Sequence, residues 1–323
     1  MKLQLKSTRH IIISMFSVFL MILILFAMMF PWQKGCSGAS DRYFTPDSGR
    51  FSNQIYQVPL PSELEFAGEK VPLQLFDVRE SLDRELQVNT YWHSQTVLLL
   101  KRANRFFPII EPILKEKGIP DDFKYLAVAE SALTQSVSPS QAVGFWQILE
   151  GTGKELGLEI NNEVDERYHI EKSTSAACDF LLKSYDKYGN WTMAAASYNF
   201  GRNGISKQME RQKNNDYYDM VLGEETGRYV FRILALKAIF EHPEKYGFFL
   251  KTNDLYPPIQ SFDVKVDSTI SSIASFAEHF NTSYKIVKLL NPWLRETYLP
   301  LKSGKVYTIK IPEEEFRENA YEN

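Results

Sequence analysis

The stretch Phe123-Lys124-Tyr125-Leu126-Ala127-Val128-Ala129-Glu130-Ser131 is followed six residues later by Ser138-Pro139-Ser140-Gln141-Ala142-Val143-Gly144-Phe145-Trp146-Gln147, and together they decide how the chain is read. The first part is an apolar helix over Phe123 to about Leu133. It starts at Asp121-Asp122, after the stop Gly118-Ile119-Pro120, and carries a carboxylate, Glu130, near its end. The second part is a loop turned by serines and proline, with Gly144 allowing close approach of a ligand or of backbone. About fifty residues later a short alanine-rich helix, Trp191 to Tyr198, closes on Ser197-Tyr198-Asn199-Phe200-Gly201.

Helical periodicity extends in both directions from this stretch. Val78, Leu82 and Leu86 recur at i+4, and an apolar run from Val97 to Ile110 follows, punctuated by Pro108 and Pro112. Those prolines predict two helical pieces or a kink. Further helices are expected from about Gly144 to Leu156, after a cap at Ser173-Thr174-Ser175, and from Tyr229 to Phe240. Strands are almost absent over residues 77–250, which are expected to form an all-α domain. Residues 36–76 mix Ser, Gly, Pro and charge, and read as a tether. Past Pro257-Pro258, residues 259–313 read as a small β-α-α-β domain. Phe262, Val264 and Val266 alternate at its start, Tyr307, Ile309 and Ile311 at its end, and residues 314–323 are a tail.

Residues 1–35 read as a short basic stub and an apolar segment. Lys2, Lys6 and Arg9 precede a run from Ile11 to Phe30 interrupted only by Ser14 and Ser17, a length that spans a hydrocarbon core. Positive charge ahead of it predicts export of everything downstream. An uncleaved signal-anchor, a cleaved signal with a late site at Gly38-Ala39-Ser40, and lipidation at Cys36 all fit, and all three export the domain.

Of the 323 residues, 44% are hydrophobic and 24% charged, enough for real cores and an ordinary solvated surface. A net charge of −3 without a basic tract gives no pull toward nucleic acid. Two cysteines, Cys36 and Cys178, make no disulfide framework. Five scattered histidines and the absence of a glycine-rich phosphate loop point to no metal and no cofactor.

The chemistry that suits these residues is glycosidic cleavage. It needs a general acid for the leaving oxygen and usually a second carboxylate. A Glu behind Leu126-Ala127-Val128-Ala129 is partly desolvated, which raises its pKa toward neutrality. The same Glu also reads as a solvated helix-end charge. Gln147 offers donor and acceptor to acetamido groups, and Tyr198 and Asn199 add a phenol and an amide, although Asn199 and Gly201 are also ordinary helix-stop residues. Asp165 and Glu166 are the candidates for a second carboxylate, but Arg167 beside them favours a structural ion pair.

Six blocks carry a resemblance. They are Glu130-Ser131, Ser138-Pro139-x-x-Ala142-x-Gly144-Phe145-Trp146-Gln147, Thr152-Gly153, Val164-Asp165-Glu166-Arg167, Tyr198-Asn199-x-Gly201 and Glu225-Thr226-x-Arg228-Tyr229-Val230. In this order they resemble the catalytic (SLT) domain of lytic transglycosylases with a goose-lysozyme-like fold, and among these the membrane-bound lytic murein transglycosylase D group, over roughly residues 78–245. Departures are Gln141 for a usual glycine, a proline replaced around Glu150, Ser197 for the usual small residue, Phe200 for a common alanine, and a loop one residue short before Ser138.

The resemblance implies a mainly α protein with a lysozyme-like catalytic domain. It implies cleavage of the β-1,4 bond between N-acetylmuramic acid and N-acetylglucosamine of peptidoglycan, without water, leaving 1,6-anhydro ends. Glu130 would be the single acid and base, as would suit a chain with no convincing second carboxylate. Ser138, Gln147, Tyr198 and Asn199 would hold the acetamido group, the Gly144 backbone would lie against the sugar, and Tyr229 would complete the opposite wall. No metal or cofactor is implied.

Residues 259–313 similarly resemble a LysM repeat, through Phe262-x-Val264, Ile273-Ala274, Phe280, Leu290-Asn291-Pro292 and Tyr307-x-Ile309-x-Ile311-Pro312. That implies a module that binds N-acetylglucosamine chains, or a degenerate copy that only packs on the catalytic domain. The implied partners are peptidoglycan strands and the membrane, with cell-wall synthesis or division proteins as a further class. The implied location is the bacterial envelope, with the catalytic domain in the periplasm. A lysozyme-type hydrolase using Asp165 or Glu166, and an inactive wall-binding scaffold, are the alternatives.

Overall fold

Burial of apolar helix faces organises the described part of this chain. The computed structural model describes residues 55–301, 304–319 and 321; the apolar run 11–30 and Cys36 lie outside them. Among the described residues no helix is long and apolar enough to cross a membrane. A short hairpin, β1 (Glu65–Phe66) and β2 (Glu69–Lys70), opens the order. Then come α1 (Phe76–Tyr91), α2 (His93–Glu116), α3 (Lys124–Ser131), α4 (Glu150–Glu155), α5 (Ile170–Tyr188), α6 (Trp191–Phe200), α7 (Arg202–Gln212) and α8 (Glu224–Glu241). A β-α-α-β unit follows: β3 (Ser261–Val266), α9 (Ile273–His279), α10 (Tyr284–Leu290) and β4 (Tyr307–Pro312). A last turn, α11, covers Phe316–Asn319.

Helix α8 buries Tyr229, Val230, Ile233, Leu234, Ala235 and Ile239, so residues on more than one face are hidden and the helix is a core element. It packs on α1, α3 and α6. Each fully buried Ile or Leu of this kind contributes roughly 2 kcal/mol. Helix α6 buries every residue from Thr192 to Ser197, all but Met193 small side chains that let neighbouring helices approach closely.

Three expectations are corrected in whole or in part. First, of the two outcomes expected at Pro108 and Pro112, separate helical pieces do not occur: α2 is one continuous helix through both. The two prolines are four residues apart on its exposed side, where water can satisfy the carbonyls they leave without donors. Second, the tether ends early. Val58, Phe66, Val71 and Leu73 are buried in the helical core, and the hairpin between them masked any single period. Third, no helix begins at Gly144. Residues 135–148 form a bridged loop in which Val143 pairs with both Val137 and Ile148. Positive φ at Gly144 (78°) and Gln147 (47°) rules a helix out there, and α4 starts only at Glu150.

The C-terminal unit has the expected β-α-α-β order, with β3 and β4 antiparallel and Val264 opposite Ile309. Ser272 and Ser283 cap its two helices, accepting from Ser275 N and Ile286 N. From Tyr56 onward the described residues, both domains included, cluster as one unit.

Candidate active site

Glu130 sits at the last turn of α3, and the chain turns away immediately after it. Ala132 (φ 55°) and Leu133 (φ 52°) are both left-handed, a conformation that costs a non-glycine residue roughly 1–2 kcal/mol. Burial of Leu133 and a bond from Arg102 Nη1 to the Ala132 carbonyl (3.1 Å) hold the turn.

The Glu130 carboxyl accepts a hydrogen bond from Tyr229 Oη, ninety-nine residues away on α8. Surrounding protein pushes its pKa up to about 7, with nearby Glu225 adding to the rise. The Tyr229 bond and the positive charge of Arg232 act in the opposite direction without cancelling it. Glu130 is nevertheless only half-buried, so a ligand can reach it. The arrangement is a carboxyl group whose protonated form is favoured by burial and which is oriented by a phenol.

The other expected site residues bond in two groups. Tyr198 Oη donates to the Trp146 carbonyl (2.7 Å), and Ser131 Oγ donates to that of Phe145 (2.9 Å). These bonds tie the loop 135–148 to α3, which carries Glu130, and to α6. Asn199 Oδ1 accepts from Thr226 Oγ1 (2.8 Å), which ties α6 to the start of α8. Within the loop, Gln147 Nε2 donates to Ser136 O (3.1 Å) and Gly144 O (2.9 Å), and Ser138 Oγ accepts from Ala142 N (3.0 Å). The donor end of Gln147 and the hydroxyl of Ser138 therefore shape the loop.

Gly144 is needed for a backbone contact: a Cβ there would lie 2.3 Å from the Arg167 carbonyl oxygen. Gln141, at the position the resemblance assigns to glycine, has φ 63°. Gln141→Gly is accordingly expected to stabilise the protein by about 1 kcal/mol, read as a higher urea midpoint at unchanged slope.

Asp165 and Glu166 do not join Glu130. Asp165 is buried and gripped by Arg167, through Nε to Oδ1 (2.9 Å) and Nη2 to Oδ2 (2.7 Å). Glu166 is also buried, pairs with Lys172 and accepts from Glu159 N (2.8 Å). Both carboxylates are committed to structure.

Sequence reading missed Glu69. Its carboxylate accepts from Trp191 N (2.5 Å), Thr192 N (2.9 Å) and Thr192 Oγ1 (2.7 Å), fixing the start of the helix that presents Tyr198 and Asn199. A lone Glu in a two-residue strand gives no sequence signal for such a role.

Residues 107–221 match the transglycosylase SLT domain, and residues 262–315 match the soluble lytic transglycosylase C-terminal LysM-like domain. The membrane-bound lytic murein transglycosylase D of Escherichia coli (strain K12) is 31% identical over 185 residues, 55% of this chain and 40% of that one. The chain thus spans well under half the length of this curated relative. Among solved structures, the 70 kDa soluble lytic transglycosylase SLT70 from Escherichia coli aligns with a TM-score of 0.39 and 18% identity, covering 55% of this chain and 33% of that one.

Proposed function

We propose that this chain, which carries a transglycosylase SLT domain and a LysM-like domain, is a peptidoglycan lytic transglycosylase with a lysozyme-like catalytic domain. One observation carries the reading: Glu130 is a half-buried carboxyl with its pKa near 7 and a phenol on it, while Asp165 and Glu166 are tied to cations and backbone. A site with one such group suits a reaction in which a single carboxyl serves twice.

Protonated Glu130 donates its proton to the glycosidic oxygen as the bond between that oxygen and the muramic anomeric carbon breaks. The resulting carboxylate then takes the proton of the muramic 6-hydroxyl as that oxygen bonds to the anomeric carbon. The product is a 1,6-anhydro ring, the carboxyl is regenerated, and water is not consumed. Tyr229 orients the carboxyl and steadies its anionic form between the two steps. Tyr198 and Ser131 hold the loop that forms one wall. The likeness to a relative named membrane-bound supports a place at the cell envelope, with residues 11–30 as the anchor.

The test is product mass. Purified protein incubated with isolated peptidoglycan should release soluble muropeptides lighter by one water than lysozyme products. Hydrated reducing ends would instead assign a hydrolase, and wall binding without release a scaffold.

Because the proton-donating form is the reactive one, activity should fall as pH rises through about 7. Tyr229→Phe removes a bond that favours the carboxylate, so it should move this alkaline limb upward by roughly one pH unit. It should also lower kcat about tenfold through loss of orientation. A pH–rate profile of both proteins checks this.

A further inference from the structure

The C-terminal LysM-like domain does not close its own core. Val266, Ile270, Ile273, Val287, Leu294 and Ile309 form one apolar cluster with Val143, Val164 and Tyr168, which belong to the helical domain. The joint continues through backbone. Asp165 N donates to the Trp293 carbonyl (2.9 Å), Arg295 N donates to that of Glu163 (2.8 Å), and Val164 bridges Leu294. The Trp293 ring, itself buried, stacks on His169 (5.7 Å) and Tyr307 (5.8 Å), and the Arg295 guanidinium lies 4.0 Å over the Tyr168 ring. Lys305 and Tyr307 meet Glu159 at 2.6 and 3.1 Å, and Lys310 meets Glu171 at 3.1 Å. The joint combines packing, backbone bonds and ion pairs, and it engages residues 293–295, between α10 and β4, together with Lys305, Tyr307 and Lys310.

The segment on the other side of the joint supports the wall of the site. Asp165, held by Trp293, grips Arg167, and Arg167 Nη1 donates to the carbonyls of Gln141 (3.2 Å) and Ile148 (3.3 Å). Gln135 Nε2 donates to the Tyr168 carbonyl (2.9 Å), Gly144 lies against the Arg167 carbonyl, and Val143 is in the shared cluster. Loop 135–148 is thus attached at both ends and its middle to residues 165–168. The same loop accepts the bonds from Ser131 on α3, which carries Glu130, and from Tyr198 on α6.

We propose that the LysM-like domain is a positioning element of the active site: through Trp293 and Arg295 it sets the segment 163–168, and through that segment the loop 135–148 beside Glu130. The proposal rests on the transglycosylase reading for its catalytic consequence, but not for its structural one. A domain that held glycan from a flexible joint would raise local substrate concentration. A buttress instead acts on the chemical step, where a displacement of about 1 Å costs on the order of a hundredfold.

The experiment uses the full chain as wild type, Trp293→Ala, Trp293→Phe and Arg295→Ala, with three readouts. These are kcat and KM on a soluble tetrasaccharide muropeptide, sedimentation with isolated peptidoglycan, and amide hydrogen exchange over residues 135–148. We expect Trp293→Ala to lower kcat by about tenfold or more, with KM and sedimentation unchanged and the loop amides exchanging faster. Trp293→Phe should recover most of kcat, and Arg295→Ala, an exposed position, should show a smaller change of the same kind. If Trp293→Ala does not fold, Arg295→Ala is read by the same criteria.

Weaker sedimentation with kcat and loop exchange unchanged would overturn the proposal in favour of a glycan tether. No change in any readout would overturn it outright. Failure of the functional reading is separate: wild type would then give no anhydro product, while the exchange result would still decide whether the domain holds the loop.

Discussion

Glu130→Gln is expected to abolish release of soluble muropeptides, lowering the rate at least about a thousandfold while leaving the fold intact. Gln has the size of Glu and still accepts the Tyr229 hydrogen bond, but it has no proton of the required acidity. The same substitution should stabilise the protein at alkaline pH. Glu130 has its pKa raised from 4.5 to about 7 on folding, so the folded state binds the proton more tightly than the unfolded state does. Between those values the folded state keeps the proton while the unfolded state loses it, so stability falls as pH rises and levels off above about 7. The substituted amide cannot titrate, so at pH 8 the variant should be more stable by up to about 3 kcal/mol, and at pH 4 the two proteins should be alike. Urea titrations at the two pH values check the sign. Equal stability at both would mean that Glu130 is an ordinary solvated carboxylate.

Arg167→Met should be among the most destabilising single substitutions in the chain, by about 3–5 kcal/mol. The guanidinium is buried, holds both oxygens of buried Asp165, and donates to Gln141 O and Ile148 O. Removing it leaves a buried carboxylate without its cation, accepting only from Arg167 N (3.1 Å) among the described residues, and takes one donor from each of two loop carbonyls, of which Ile148 O keeps Val143 N. Arg167→Met combined with Asp165→Asn should recover part of the loss, because the uncompensated charge is gone. Denaturant unfolding of the single and double variants measures both effects. A cost below about 1 kcal/mol for Arg167→Met would mean that the pair is solvated and that the loop has other support.

What the sequence made legible were the groups whose signal is local. An apolar helix with Glu130 near its end, the small-sided helix Trp191–Phe200 and each strand and helix of the β-α-α-β tail declare themselves within a dozen residues or so. Asp165 and Arg167, two positions apart, read as a structural ion pair from their spacing alone, and they form one. What stayed hidden depends on distant partners or on backbone angles. The approach of Tyr229 to Glu130 closes a separation of ninety-nine residues. The clamp of Glu69 on the start of Trp191–Phe200 closes more than 120 residues, through a carboxylate that resembles any surface Glu.

The Gln147 amide suits an acetamido group, and the family resemblance implies that Gln147 and the Gly144 backbone contact the sugar. The positive φ at both, with the internal bonds of Gln147 and the Arg167 carbonyl against Gly144, shows that they also build the loop. Periodicity failed at the hairpin Glu65–Lys70 for a simpler reason: two-residue strands are too short to carry a pattern.

The central claim is that one carboxyl, Glu130, cleaves a glycan without consuming water. The most direct measurement is digestion of isolated peptidoglycan in water enriched in oxygen-18, with mass analysis of the newly formed chain ends. The account predicts anhydro ends that contain no oxygen-18. Reducing ends carrying one oxygen-18 atom would contradict it.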